Sequence, residues 1–187
     1  EGACRADVPG SIENPDEPGS AQRGSYGPYW QSQRRDIYKA CVKRLVSEGK
    51  AYPCFMTEAE IADIRAAQTA EKTDPGIYGK YAKHRDLSLQ EVQDRIAEGQ
   101  EYVVRFRSEG DPSRYFKVKD AIRGEISMPE NIQDVVILKK NDLPTYHFAH
   151  VVDDHFMRTG IVVRGEEWMA SLPIHVQLFE AMGWDVP

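Results

Sequence analysis

Hydrophobic residues change their spacing near residue 100 of this chain, and that change limits the folds it can form. Before this point they recur at helical intervals, and after it they occur in short β-branched or aromatic stretches. From Thr145 the pattern predicts a helix, then a strand over residues 160–163, then a helix from about Pro173 to Met182. A strand between two helices is typical of a parallel sheet, so the sequence predicts an α/β fold.

The 187 residues are 41% hydrophobic, which is enough for one ordinary core or for a core with a small second lobe. A formal net charge of −6 argues against a protein that coats nucleic acid without specificity, since phosphate binding needs local positive potential. The three cysteines have no motif spacing, and no apolar stretch matches a membrane span or a signal peptide. These features predict a cytoplasmic protein with no membrane contact. Both ends of the chain indicate a piece of something longer.

The first predicted helix covers residues 31–48. Its apolar face consists of Ile37, Tyr38, Cys41, Val42, Leu45 and Val46. Two capping boxes, Thr57 with Glu60 and Ser88 with Glu91, predict the starts of two further helices. Residues 1–28 have the composition of a loop, and we expect residues 1–23 to be a flexible tail.

Four strands are predicted in the middle of the chain, at 101–107, 115–119, 122–126 and 135–139. Basic residues alternate along them: Arg105, Arg107, Arg114, Lys117, Lys119, Arg123, Lys139 and Lys140. Alternation puts several of these side chains on one face, where they could meet phosphates. Interleaved acids, including Asp111, Asp120 and Glu125, make a mixed solvated face an equal alternative.

The segment Arg164-Gly165-Glu166-Glu167-Trp168 directly follows the predicted strand at 160–163. Ligands of open α/β sheets bind just beyond the carboxyl ends of strands. An arginine in that place can hold a carboxylate through two parallel hydrogen bonds, and an indole can lie against a base. The alternative is a surface Arg–Glu pair at the start of a helix, with the tryptophan in the core.

A second candidate site lies in residues 146–155, where a helix would bring three polar side chains to one face. His147, His150 and Asp154 are spaced at i, i+3 and i+7, and such a face can hold a metal ion. This pattern predicts, as a rival, a metal-dependent hydrolase. The sequence has no second ligand cluster and no His-Glu-x-x-His motif to support it.

Several sequence blocks follow one another between about residue 24 and the end of the chain. They are Gly27-Pro28-Tyr29, Gln31-Ser32-x-Arg34, Gly49-x-Ala51-Tyr52-x-Cys54-Phe55, Pro144-Thr145-Tyr146-His147-Phe148-Ala149, Val151-Val152-Asp153-Asp154-His155-x-Met157, Arg164-Gly165-Glu166-Glu167-Trp168, Ser171-x-Pro173 and Gly183-Trp184. In this order and at these separations, the blocks resemble the glutamyl-tRNA synthetases, a family of class I aminoacyl-tRNA synthetases.

The resemblance implies a Rossmann-like catalytic fold with an α/β (α+β) domain inserted between its halves. Residues 1–51 would be a loop and helix of the catalytic domain. Residues 52–143 would be the inserted domain that binds the acceptor end of the tRNA. Residues 144–187 would be the second half of the Rossmann-like catalytic domain.

The resemblance also implies the reaction: ATP-dependent activation of L-glutamate and its transfer to the 3′ end of tRNA-Glu, by a monomeric parent enzyme. Tyr146, His150 and Arg164 would contact the glutamate, and Glu167 and Trp168 would border the ATP. Mg²⁺ would accompany ATP. Catalysis would rest on positioning and on stabilisation of charge at the α-phosphate.

The chain departs from the family pattern in ways that bear on activity and metal binding. The His-Ile-Gly-His and Lys-Met-Ser-Lys-Ser signatures of the ATP site are absent, so we expect these 187 residues alone to be inactive. Some relatives bind zinc with Cys-x-Cys and Tyr-x-x-x-Cys, where this chain has Cys54-Phe55-Met56 and Tyr78 followed by Ala82. A thioether and a methyl group cannot replace two thiolates, so we predict no zinc.

A non-catalytic alternative is a freestanding tRNA-binding module that uses the inserted domain alone. The Arg164–Trp168 segment favours an enzyme, because binding of the acceptor end does not require it. Salt-dependent binding of an acceptor stem is expected for both hypotheses, since phosphate contacts release counterions.

Overall fold

A computed structural model describes residues 24–187 of the protein. Its helices are α1 (Arg35–Ser47), α2 (Glu58–Glu71), α3 (Leu89–Ala97), α4 (Tyr146–Phe156) and α5 (Leu172–Met182), with short 3-10 helices at Gln31–Gln33, Gly79–Tyr81 and Glu166–Ser171. Its strands are β1 (Ala51–Cys54), β2 (Val103–Phe106), β3 (Tyr115–Asp120), β4 (Gly124–Pro129) and β5 (Val136–Leu138). The predicted tail at 1–23 and the cysteine at position 4 lie outside the described residues.

The capping boxes that the sequence predicts are both formed. Thr57 Oγ1 accepts a hydrogen bond from the Glu60 amide at 3.2 Å, while the Glu60 carboxylate accepts one from the Thr57 amide at 2.8 Å. Ser88 and Glu91 make the same reciprocal pair at the start of α3. Each pair satisfies amide groups that a helix leaves unbonded in its first turn, which explains why α2 and α3 begin there.

A three-stranded antiparallel sheet has the order β1-β2-β5. The sequence did not predict β1, which contains Pro53. Proline cannot donate a hydrogen bond to a sheet, but β1 is an edge strand and tolerates it. In the register, Ala51 lies opposite Phe106 and Val104 lies opposite Leu138.

Helices α1, α4 and α5 pack with this sheet around one main core. The core contains Tyr38, Cys41, Val42, Leu45, Ala51, Val104, Phe106, Ile137, Leu138, Phe148, Ala149, Val151, Val152, Leu178, Phe179 and Met182. Four residues of the predicted apolar face of the first helix are therefore buried, while Ile37 is partly buried and Val46, at its end, is exposed. This core joins residues before position 52, between 52 and 143, and after 143. The proposed domain boundaries stay a prediction.

A second, smaller apolar cluster lies beside α2. It consists of Ile64, Ile77, Tyr81 and Ala82, with Met56 and Tyr78 packed against it. Cys54, at the end of β1, is buried and carries a free thiol, as does Cys41. The zinc pattern considered in the sequence covers four positions, of which Cys54 is one. The other three, Met56, Tyr78 and Ala82, lie at this apolar cluster. The prediction of no zinc awaits metal analysis.

Strands β3 and β4 form a separate two-stranded ribbon, paired from Tyr115 opposite Pro129 to Asp120 opposite Gly124. Residue 122, predicted to begin a strand, lies instead in the exposed turn. Most of the predicted basic residues here have acidic partners. The pairs are Arg107–Asp86, Arg114–Glu130, Lys117–Glu125, Arg123–Glu166 and, just after β5, Lys140–Glu101. Arg105 is buried and donates to the Asp134 carbonyl at 2.9 Å. Of the two alternatives, these pairs favour the mixed solvated face.

The strand predicted at residues 160–163 is wrong, because this segment is irregular in the structure. Ile161 and Val163 are 78% and 90% exposed. A strand forms only when a neighbour accepts and donates its backbone hydrogen bonds, and among residues 24–187 every strand pair is antiparallel and lies elsewhere. No helix in this described range is both long and apolar enough to cross a membrane.

Candidate functional site

The first turn of α4 is fixed to the sheet, and this places the candidate site. The Thr145 amide donates to the Ile137 carbonyl at 3.0 Å, and the Thr145 hydroxyl donates to the Val136 carbonyl at 2.6 Å. One face of α4 then enters the core through Phe148 and Val152. The other face carries the residues singled out from the sequence, which lie against the segment after position 160 and the start of α5.

The guanidinium group of Arg164 lies among aromatic side chains. Its central carbon is 5.4 Å from the ring centre of Tyr146 and 5.9 Å from that of Trp168, and these two rings are 4.8 Å apart. Tyr146 and Trp168 remain 46% and 39% exposed. Cation–π contacts of this kind hold a guanidinium in place while leaving its N–H groups free to bind a ligand in its plane.

His150 anchors one corner of that guanidinium. Nη2 of Arg164 lies 2.6 Å from Nε2 of His150, and the imidazole stacks at 9° against the Tyr146 ring. On its other side, Nδ1 of His150 is 2.9 Å from Oδ2 of Asp154, one helical turn along α4. The structure thus brings Tyr146, His150 and Arg164 together, as the resemblance implies.

Two further histidines pack beneath these residues. His175, in the first turns of α5, is 4% exposed, and its Nε2 lies 3.0 Å from Nδ1 of His147. Burial, with the positive potential of the neighbouring histidines and Arg164, lowers the pKa of His175 to about 3. The same causes lower the pKa of His147. Both imidazoles are therefore neutral at pH 7, and the guanidinium supplies the fixed positive charge of the cluster.

The two remaining predicted residues, Glu167 and Trp168, lie on the 3-10 helix that precedes α5. A side chain at Gly165 would overlap the Glu167 carboxylate, so the glycine allows that carboxylate to fold back over the backbone. Glu166 points the other way and pairs with Arg123 of the ribbon turn at 2.8 Å. The alternative that places Trp168 in the core is wrong, because this indole is partly exposed and contacts Tyr146 and Arg164.

The face proposed for a metal is divided between different partners. His147 contacts His175, whereas His150 contacts Arg164 and Asp154. No three His, Cys, Asp or Glu side chains converge as metal ligands anywhere in residues 24–187. A permanent cation beside His150 also opposes a second cation there, so the geometry disfavours the metal-hydrolase hypothesis.

An ion pair behind α4, with Arg34 buried and Asp153 partly buried, was missed by reasoning on residue patterns. Nε of Arg34 donates to Oδ1 of Asp153 at 2.7 Å, and the Tyr38 hydroxyl lies 2.9 Å from both oxygens of that carboxylate. Burial is the largest influence on Asp153 and raises its pKa, against the opposing effects of Tyr38 and Arg34. His175 was also missed, since a single histidine on an apolar helix gives no signal in the sequence.

Comparison with known proteins places the chain in a class of enzymes. Residues 14–187 match the family described as tRNA synthetases class I (E and Q), catalytic domain. The chain belongs to this family, and the match confirms the predicted fold class, since the class I catalytic domain is Rossmann-like.

Individual relatives are more specific. The chain is 54% identical over 168 residues to the glutamate–tRNA ligase of Acetivibrio thermocellus, covering 90% of this chain and 31% of that protein. It is 55% identical to the glutamate–tRNA ligase of Clostridium perfringens strain 13, with the same coverage. A crystal structure of a glutamate tRNA ligase from Elizabethkingia meningosepticum, in complex with its amino acid, superposes with a TM-score of 0.76 at 40% identity, covering 88% of this chain and 33% of that one. The chain spans about a third of the length of the relatives it matches.

Proposed function

We propose that this chain forms the glutamate-binding part of a glutamate–tRNA ligase, which activates L-glutamate with ATP and transfers it to the 3′ end of tRNA-Glu. The family and its named relatives support the reaction. The observation that carries the proposal is the position of Arg164. Its guanidinium lies beside two partly exposed rings that contact each other, and it is anchored at Nη2 on His150.

An arginine held in this way suits a carboxylate ligand. The guanidinium is planar, always charged and able to donate two parallel hydrogen bonds. The neighbouring histidines, whose pKa values are lowered, add no competing positive charge at pH 7. The phenol of Tyr146 is exposed enough to donate a hydrogen bond to the same ligand. Tyr146, His150 and Arg164 would thus position glutamate so that its reacting carboxylate meets the α-phosphate of ATP.

Glu167 and Trp168 would border the ATP. The indole presents an exposed π surface beside Arg164, and the Glu167 carboxylate can accept hydrogen bonds from hydroxyl or amine groups of a nucleotide. When bound, Mg²⁺ would neutralise charge on the ATP phosphates. The acceptor end of tRNA-Glu as partner, the monomeric state and the cytoplasmic location complete the proposal and rest on the family alone.

Glutamate-dependent exchange of pyrophosphate into ATP, with tRNA-Glu present, tests the proposal on the protein expressed from its complete reading frame. Loss of hydrogen bonds to a charged ligand should raise the KM for glutamate about 10- to 100-fold in Arg164→Ala. Arg65→Ala, on the exposed side of α2, is the matched control and should keep the wild-type KM. Exchange that requires another amino acid, or an unchanged KM in Arg164→Ala, would overturn the assignment.

A further inference from the structure

We infer that Asp154 is a positioning residue, which fixes the tautomer of His150 so that this imidazole can hold Arg164 in place. The inference about glutamate binding rests on the proposed function, whereas the inference about the tautomer does not. Two contacts and one burial carry it: Arg164 contacts His150, His150 contacts Asp154, and one Asp154 oxygen is buried.

The contact with Arg164 determines which imidazole nitrogen carries the proton. A guanidinium has five N–H donors and no acceptor, and it is not deprotonated in proteins. Nη2 of Arg164 lies 2.6 Å from Nε2 of His150, so Nε2 must accept and cannot itself carry a proton. The imidazole therefore has its proton on Nδ1. This is the less common tautomer of a free histidine, so a neighbouring group has to favour it.

Asp154 provides what favours that proton position. Its Oδ2 lies 2.9 Å from Nδ1 of His150, with the two residues one turn apart on α4. The same oxygen is buried and has no aligned hydrogen-bond donor among the described residues. Burying an acceptor without a donor costs free energy. A proton on Nδ1 of His150 offsets part of that cost, because its positive hydrogen is close to the Asp154 carboxylate. The carboxylate thus favours the proton on Nδ1 and leaves the Nε2 lone pair for Arg164.

The other groups around His150 do not provide an alternative acceptor for its proton. The Tyr146 ring lies nearly parallel to the imidazole with the ring centres 6.1 Å apart, and the centre of the His175 ring lies 4.7 Å from that of the imidazole. His175 is instead engaged with His147. Without Asp154, the proton would be free to move to Nε2, where it would point at Arg164 and break the anchor of the guanidinium.

The first arm of the test reads the tautomer directly. In the protein expressed from its complete reading frame with ¹⁵N-labelled histidine, the His150 signals are assigned by their loss in His150→Ala. We expect an unprotonated Nε2 and a protonated Nδ1 at pH 7.5, and a shift of the proton toward Nε2 in Asp154→Leu. A protonated Nε2 in the wild type, or an unchanged tautomer in Asp154→Leu, would overturn the inference.

The second arm measures glutamate binding in a double-mutant cycle. Asp154→Leu should raise the KM for glutamate about tenfold when His150 is present, the effect of losing one hydrogen bond to a charged group. In the His150→Ala background the same substitution should change the KM by less than about twofold. An equal effect in both backgrounds would show that Asp154 acts on structure and would refute its action through His150. Asp63→Leu, on the exposed face of α2, is the control.

The two arms separate failure of this inference from failure of the proposed function. If the wild-type protein has no glutamate-dependent activity, the proposed function fails, and the tautomer measurement alone decides the role of Asp154. If the wild type is active and the KM of Asp154→Leu is unchanged, the proposed function stands and the positioning role is refuted.

Discussion

Removal of the Asp153 carboxylate should destabilise the protein more than any single change on its surface. Arg34 is 1% exposed, and its Nε is 2.7 Å from this carboxylate. In Asp153→Ala the guanidinium would keep its bond to the Pro28 carbonyl at 2.6 Å, while Nη2 already has no hydrogen-bond partner among the described residues. The substitution leaves a buried charge without a counter-ion, and it also removes the acceptor of the Tyr38 hydroxyl.

Breaking a buried ion pair from one side costs about 3–5 kcal/mol. For a chain of this length, that should lower the Tm by about 6–20 °C. Tyr38→Phe removes one hydrogen bond to a charged group and should cost less, about 1.5–3 kcal/mol. Asp63→Ala, at an exposed position of α2, should stay within about 0.5 kcal/mol of the wild type. Urea unfolding of the 187-residue chain, followed by tryptophan fluorescence, measures all three differences.

A double variant tests whether the unpaired charge is the cause. If it is, adding Arg34→Met to Asp153→Ala should recover stability, because a buried pair replaced by apolar groups is often near neutral. We expect the double variant to be at least as stable as Asp153→Ala alone. If the losses of unfolding free energy caused by Arg34→Met and Asp153→Ala instead add, the destabilisation arises from lost packing, and the argument from buried charge is refuted.

Three further predictions concern other parts of the protein. The low pKa of His175 means that the folded state binds its proton less readily than the unfolded chain, which titrates near pH 6.5. The contribution of His175 to stability should therefore be complete above that pH and fall as the pH drops toward 3. Between pH 7 and pH 5, the wild type should lose about 2 kcal/mol more unfolding free energy than His175→Gln, measured by urea unfolding. An equal loss in the two proteins would contradict the assignment. Thr57→Ala removes the cap of α2 and should cost about 1 kcal/mol, measured against Thr69→Ala within the same helix. Metal analysis of the purified protein should find no zinc, and one equivalent would show that Met56 and Ala82 do not prevent its binding.

Local patterns in the sequence predicted the helices well because the forces that define them are local. The boxes at Thr57 and Ser88 depend on residues three positions apart, and the buried face of α1 depends on spacings of three and four. The i, i+4 relation of His150 and Asp154 is of the same kind, and the structure brings the two side chains to 2.9 Å. In these cases the chain needs no distant partner to set the geometry.

Strands and the ring cluster depend on contacts that spacing cannot reveal. The apolar residues Ile161 and Val163 satisfy a strand pattern, but no neighbouring strand bonds to them among residues 24–187. Strand β1 shows the opposite error, a strand that was not predicted. It contains a proline, which is unfavourable in most strands, but it is an edge strand that pairing with β2 stabilises. The contacts of His175 with His147, and of Arg34 with Asp153, join residues far apart in the chain. Reasoning from residue patterns had no means to pair them.

The candidate site illustrates how these two kinds of information combine. The helical period puts His150 and Asp154 on one face, which the sequence alone also allowed, as a rival interpretation, to be part of a metal site. The distant contact with Arg164 changes that interpretation, because a guanidinium that donates to Nε2 turns the histidine into an acceptor. A metal ion would need the same lone pair. The position of one arginine, 14 residues along the chain, therefore decides between a metal ligand and a support for carboxylate binding.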